Sequence, residues 1–393
     1  MTLRARVLGL QGAGVALAAA LGCVSWGAHP LALGLAPALA FFWALAPTRW
    51  GAYLTAFAYY LAVARGLPSG TTVFFGVDAS LALGVGLWVA SSALLAAPWA
   101  AFWPTHRAGY WWRLPAALVA VSVPPLGIFG WGNPLTGAGA LFPGLGWAGL
   151  LACGLLMIAY GYAVAGQRPA RNALAVHLIL AVALAWGASR PDPVTDAVGL
   201  DTRLSGVGLG RYDFLRAYQH NQELIALAQE QTTDTLLLPE SVAGLWQSST
   251  AELWARAERL PGRVFVGAAE PHPGGDYSNA IVIVTPLDHQ VVYRQRVPVP
   301  VGMWHPWRED SAIAHWRAPG AFSVGRARYG ALICYEQLLM WPVLQTYAES
   351  PSLVLAPTNA WWSKDTSVPA IQQSVVTAWA RLFATPTVSS FNY

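Results

Sequence analysis

The chain has 393 residues, 55% of them hydrophobic and only 11% charged, where ordinary soluble domains carry roughly 25% charged residues. That composition argues against a wholly soluble protein and for a large membrane-embedded part. The net charge of +4 comes from thinly spread arginines, Lys364 being the only lysine, so nothing resembles a basic track along a phosphate backbone and nucleic acid is not an expected partner.

A helix crossing a bilayer needs about 20 apolar residues. Seven stretches are candidates: Val7–Val24, Leu31–Ala46, Gly51–Ala64, Ser80–Phe102, Leu114–Gly130, Gly139–Ala163 and Ala173–Ala188. The second and third are short, and Pro124-Pro125 should kink or break the fifth. With the N-terminus inside, the inner loops hold Arg4, Arg6, Arg49, Arg107, Arg113, Arg168 and Arg171, and the outer loops only Arg65. This is the asymmetry of the positive-inside rule, and an odd number of spans then puts the second half outside the cytoplasm. Twenty tryptophans suit a protein with much interfacial surface. "ALGC" at Ala20–Cys23 matches a lipoprotein processing site by letter, but the spans that follow favour an uncleaved anchor. "GLGWAG" at Gly144–Gly149 matches a dinucleotide fingerprint, but no strand precedes it; small residues that let helices approach are the better account. His177 in the last span reads as a functional group or as a neutral, hydrogen-bonded histidine.

The composition shifts near Ser189-Arg190-Pro191, which divides the chain into a membrane domain over 1–189 and a second domain over 190–393. Beyond the shift, Asp234–Pro239, Arg263–Ala268, Ala280–Thr285, Ala331–Cys334 and Ser352–Pro357 read as strands. Tyr218–Gln231 and Gln372–Phe383 read as amphipathic helices. The alternation implies a layered α/β domain, and about 200 residues can bury a core unaided.

Three cysteines give no disulfide framework; Cys23 and Cys153 lie in apolar runs and read as packing residues. Cys334 differs. In "GALICYEQLL" an apolar strand runs into the thiol, which a neighbouring base could turn into a nucleophile and whose following N–H groups could hold an oxyanion. The alternative is a buried structural cysteine, though Glu336 two residues on is unusual for a purely packed position. In "TLLLPESVAG" a strand ends at Pro239-Glu240, which suits either a partly buried general base or a surface or capping glutamate.

"LLLPES", "VYRQRVPVPVGMW", "LICYEQ" and "APTNAWWSKDTSVPAIQQ…ARLFATPTVSSFN" resemble, in order and spacing, the nitrilase (carbon-nitrogen hydrolase) superfamily. The "NAWW…P…QQ…AR" string, the preceding spans and "WGNPLTGAGALFPGLGW" resemble its apolipoprotein N-acyltransferase branch, and most of all that branch's shorter relatives from bacterial conjugative plasmids. The resemblance implies a multi-span α-helical membrane domain followed by an α/β nitrilase-like αββα sandwich with a Glu–Lys–Cys triad. Glu240 falls at the base and Cys334 at the nucleophile. Tyr335 and Glu336 fall where those acyltransferases also carry Tyr and Glu. The lysine position holds Gln295, and Met303 stands where the family has a lid glutamate.

An amide donates a hydrogen bond but brings no charge, and a lost oxyanion donor costs roughly 3–4 kcal/mol. Arg294, Arg296 or Lys364 could supply the missing cation, although alternation along a strand would turn both arginines away from Gln295. The bland reading of Lys364 is an exposed loop lysine. The resemblance further implies an inner-membrane protein with a cytoplasmic N-terminus and a periplasmic catalytic domain. It implies a membrane lipid as acyl donor, a protein amine as acceptor, a conjugation apparatus as partner, and neither cofactor nor metal. A non-catalytic accessory role and a periplasmic amidase are the alternatives.

Overall fold

The computed structural model describes residues 3–76, 81–104, 109–164, 172, 175, 196–204, 214–286 and 288–393. It divides into two compact units. One comprises Met1–Pro191, Leu338–Trp341 and Asp365–Ala384, and the other Asp192–Gln337, Pro342–Lys364 and Thr385–Tyr393.

The first unit is helical. Its long helices are Leu3–Ser25, Arg49–Val63, Leu81–Ala101, Tyr110–Ser122, Gly146–Val164 and, from the far end of the chain, Val368–Phe383. Two of them, Leu81–Ala101 and Gly146–Val164, are long and apolar enough to cross a membrane, and only 28% and 33% of their apolar windows are buried. The other expected spans take different forms. Pro30–Ala38 is a 3₁₀ turn, with Pro37 inside it, leading into a short helix Leu39–Leu45. Thr48 Oγ1 accepts from Gly51 N–H (3.0 Å) and so starts helix Arg49–Val63. The fifth candidate stops at Ser122, just before Pro124-Pro125, as the missing proline donor requires. Apart from Ala175, Ala173–Ala188, with His177, lies outside the described residues.

Tryptophans serve this unit as core. Trp26, Trp43 and Trp99 are fully buried, with indole N–H groups donated to Tyr59 Oη, the Trp99 carbonyl and Tyr60 Oη. A large ring is tolerated inside when its one donor finds a partner. Gly139 in the "NPLTGAGAL" stretch has a packing reason: a Cβ there would overlap the Ala378 backbone of helix Val368–Phe383. Gly149 faces Leu382 and Phe142, in keeping with close helix approach rather than nucleotide binding. Cys153 is buried but Cys23 is exposed, so Cys23 is not the packing residue its apolar neighbours imply.

The second unit is built on two sheets. The first has strand order β1-β2-β3-β4-β5, from Ala197–Gly199, Thr235–Leu237, Arg263–Pro271, Tyr277–Val284 and His289–Arg294. β1, β2 and β3 run parallel, and β4 and β5 return antiparallel. The second has order β6-β7-β8-β9, from Ala321–Val324, Ala327–Ala331, Leu353–Asn359 and Thr387–Asn392. Period-two alternation explains the layers. Leu236, Val264, Val266 and Val282 pack with Leu224, Ala228 and Trp254 of the helices Phe214–Gln229 and Ser248–Ala255. The intervening Leu237, Phe265, Ile281 and Ile283 pack with Ala331 and Leu355 of the second sheet and with Ile333 just after β7. Strands buried on both faces read as continuous apolar runs, which is why β2, β3, β4 and β8 stand out in the sequence.

Candidate active site

Five chain segments meet at one end of the second unit's sheets. β2 stops at Leu237, and the turn Pro239-Glu240-Ser241 carries the carboxylate, Ser241 taking φ 57°. Gly267 on the neighbouring strand admits this turn, since a Cβ there would overlap Pro239 and Glu240 backbone. β4 supplies Asn279 and the segment after β5 supplies Gln295. β7 ends at Ala331 and the 3₁₀ turn Cys334–Leu338 begins with the thiol. β8 brings Asn359.

Cys334 is itself left-handed, with φ 45°, a conformation that costs a non-glycine residue about 1–2 kcal/mol and is characteristic of functional turns. The neighbouring side chains enforce it. Glu336 accepts from the Ile333 N–H (2.9 Å) on one oxygen and from the Arg296 N–H (2.8 Å) on the other. Gln337 donates to the carbonyls of Leu332 and Pro357 and to Thr358 Oγ1, which ties the turn to β8.

The Cys334 thiol is hydrogen-bonded to the Glu240 carboxylate. Glu240 also accepts from Asn279 Nδ2 (2.6 Å) and the Asn359 N–H (3.0 Å). Burial pushes its carboxyl up from 4.5 to about 7, against the three donors that pull it down. A base that titrates near neutrality is suited to taking a proton and giving it back. Tyr277 lies close enough for the Glu240 charge, together with burial, to raise its phenol.

Gln295 is fully buried. Its Nε2 donates to the Ile333 carbonyl (3.1 Å) and its Oε1 accepts from Asn279 (2.8 Å), so the residue at the family's lysine position joins the base to the thiol turn. The two arginines expected as compensating cations are engaged elsewhere. Arg294 faces away, as alternation requires, and pairs with Glu270 through Nε (2.5 Å) and Nη2 (2.7 Å). Arg296 departs from the expected alternation because β5 ends at Arg294. Its side chain turns inward with no exposure and forms an ion pair with Glu336 (3.4 Å), also donating to Tyr293 Oη (2.9 Å) and Thr346 Oγ1 (2.7 Å). Lys364 is exposed, as the bland reading has it. Tyr335 is buried, and that burial raises its phenol.

Asn279, Tyr293 and Asn359 are site residues that sequence reasoning misses. Asn279 has a faint signal, a lone amide heading an apolar strand. Among the described residues, no group of three or more His, Cys, Asp or Glu side chains is arranged to hold a metal ion. Chemically, the arrangement offers a thiol, a base in contact with it, and backbone and amide donors around both.

The carbon-nitrogen hydrolase family model matches residues 275–381, a span that contains Asn279, Gln295, Cys334 and Asn359. Among solved structures, a carbon-nitrogen hydrolase from Helicobacter pylori G27 is 11% identical, with TM-score 0.38 over 50% of this chain and 72% of that chain. An amidase from Nesterenkonia sp. is 15% identical, with TM-score 0.29 over 42% of this chain and 63% of that chain. Much closer in sequence are conjugal transfer protein TraB of Agrobacterium fabrum strain C58, 38% identical over 96% of this chain and 92% of that protein, and a probable TraB of Sinorhizobium fredii strain NGR234, 37% identical over 95% of each. At that identity and coverage the chain belongs to the TraB family, and its second half carries a carbon-nitrogen hydrolase domain of the nitrilase superfamily.

Proposed function

We propose that this TraB-family chain is an inner-membrane acyltransferase acting through a Cys334 thioester and supporting plasmid conjugation. The carrying observation is the Cys334 thiol hydrogen-bonded to a buried Glu240 whose carboxyl titrates near 7. In the proposed first step Glu240 takes the thiol proton as sulfur bonds to an ester carbonyl carbon of a membrane lipid. The tetrahedral oxyanion collapses, the carbon–oxygen bond breaks, and Glu240 returns the proton to the departing alcohol. In the second step a protein amine attacks the thioester and gives a proton to Glu240. An amide forms, and the carbon–sulfur bond breaks to restore the thiol.

In this reading residues 1–189 form the membrane domain with a cytoplasmic N-terminus, and the second unit, which carries Glu240 and Cys334 within 190–393, lies in the periplasm. Exposed Leu81, Leu83, Val85, Leu151 and Leu155 on the two long apolar helices and the arginine asymmetry of the loops support this placement. The relatives' name, conjugal transfer protein, supports the conjugation role.

The test is purified protein incubated with acyl-labelled phospholipid. A label that is released by neutral hydroxylamine and absent from Cys334→Ala is the expected result. No label, from a sample whose Cys334 still alkylates, would remove the lipid-acyl reading; turnover of small amides by the same sample would point to a periplasmic amidase.

A second reading, a non-catalytic accessory part of the conjugation apparatus, is favoured by Gln295, whose polar atoms satisfy internal partners where the resemblance calls for a cation. Wild-type conjugation frequency in a Cys334→Ala strain with normal protein level would select it.

A further inference from the structure

We infer that Asn279 is a positioning residue of this site: its amide fixes the direction of a hydrogen-bond chain running from the Ile333 carbonyl to Glu240, and so presents Glu240 as an acceptor to the Cys334 thiol. The inference rests on the reading of Glu240 as the base and deepens it.

The direction follows from the chain's two ends. The Ile333 carbonyl can only accept, so Gln295 must turn its nitrogen toward it (3.1 Å). That leaves Gln295 Oε1 facing Asn279, where only a nitrogen can satisfy it (2.8 Å). Asn279 Oδ1 is therefore turned to the one remaining donor, the Ser241 hydroxyl (3.1 Å). The same Nδ2 then has its second hydrogen directed at Glu240 Oε1 (2.6 Å). At the other end the Asn359 N–H, which can only donate, meets Glu240 Oε2 (3.0 Å). Every polar atom has a single consistent role, and Asn279 Nδ2 and the Asn359 N–H both donate to Glu240.

The backbone supports the arrangement. Gln295 N–H donates to the Asn279 carbonyl (2.7 Å), so the two amide side chains come from paired backbone and cannot drift apart. Asn279 is 1% exposed, so bulk solvent does not reach its amide. Donation from Asn279 opposes the effect of burial on Glu240, favouring the ionised acceptor. An aspartate at 279 would have nearly the same shape but would turn both donors into acceptors, against Glu240 on one side and Gln295 Oε1 on the other.

The experiment is alkylation of Cys334 by iodoacetamide in the full-length, detergent-solubilised protein on a Cys23→Ser background, followed by peptide mass spectrometry from pH 5 to 10. In the wild type the rate should rise through neutrality. Asn279→Asp should move the midpoint at least one pH unit to the alkaline side, lowering the rate at pH 7 about tenfold, while the high-pH plateau is retained. Ser241→Ala, which removes only the donor that orients Asn279, should shift it less in the same direction and serves if Asn279→Asp fails to fold. An unmoved midpoint in both variants, or a uniform loss of rate at every pH, overturns the inference while slowed alkylation in Glu240→Gln leaves the base in place. A Glu240→Gln profile identical to the wild type overturns the base reading and this inference with it.

Discussion

Two buried glutamates serve the same thiol turn, Glu336 from two positions after Cys334 and Glu240 by a hydrogen bond to the thiol, and their surroundings differ. Around Glu336, which has no exposed surface, lie the Arg296 guanidinium, the Tyr293 hydroxyl and the N–H groups of Ile333, Arg296 and Val297. Burial raises its carboxyl, and Arg296 with these donors opposes the rise. Around Glu240 lie an amide, one backbone N–H and the thiol. A carboxylate paired with a fixed cation and saturated with donors is an anchor. One with no cation in contact among the described residues, hydrogen-bonded to a thiol, fits the base of the proposed mechanism. Residue type and burial are nearly the same in both, so the neighbours decide.

The sharpest way to break the comparison is to exchange the charge for an amide at the base. Glu240→Gln should lower Cys334 alkylation or acylation by about a hundred- to ten-thousandfold, the range of general-base contributions. A loss of less than tenfold would deny Glu240 its distinct role. Next, Arg296→Met should cost about 3–5 kcal/mol of unfolding free energy, because it leaves Glu336 buried and uncompensated. The double variant Arg296→Met/Glu336→Gln should recover part of that loss in a thermal or denaturant melt. Lys364→Met, by contrast, should change stability by no more than about 0.5 kcal/mol.

The pH dependence of stability separates the two sites further. Glu240 titrates near 7 when folded and near 4.5 when unfolded, so between these values the native state holds the extra proton and stability falls as pH rises, levelling above 7. The fall attributable to Glu240 is about 3 kcal/mol, and Glu240→Gln should lack it. The comparison of wild type with variant is needed because Glu336 is raised as well and slopes the same way. The smallest effect concerns the replaced lysine. In Gln295→Lys an ammonium beside Glu240 should shift the alkylation midpoint to the acid side by about one pH unit. An unchanged midpoint would mean that the position does not communicate with the base.

Much of this is legible in the sequence, for identifiable reasons. Strands buried on both faces announce themselves as apolar runs, and the residues that end them, Glu240 after "TLLLP" and Cys334 after "GALI", are visible for that reason. Edge strands are not. β1 has three residues, β6 has four, and β9 reads "TVSSFN" with four polar side chains. Alternation places Arg294 correctly and misplaces Arg296, because the rule holds only within a strand and β5 stops between them. Helix Val368–Phe383 is legible from its amphipathic pattern, yet nothing in that pattern says that it packs with the first unit. Asn279 is only faintly legible, for a deeper reason. Its importance lies in the direction of its hydrogen bonds, and that direction depends on partners 38 residues back at Ser241 and 16 ahead at Gln295.

The left-handed backbone at Cys334 has a consequence for how this protein could lose its chemistry. Glycine occupies that region without a Cβ penalty, so Cys334→Gly should melt higher than Cys334→Ala, by about 1 kcal/mol. A lineage selected only for robust folding would find glycine an easy replacement there, and a sulfur that persists at so uncomfortable a bend would have to be kept by what it reacts with.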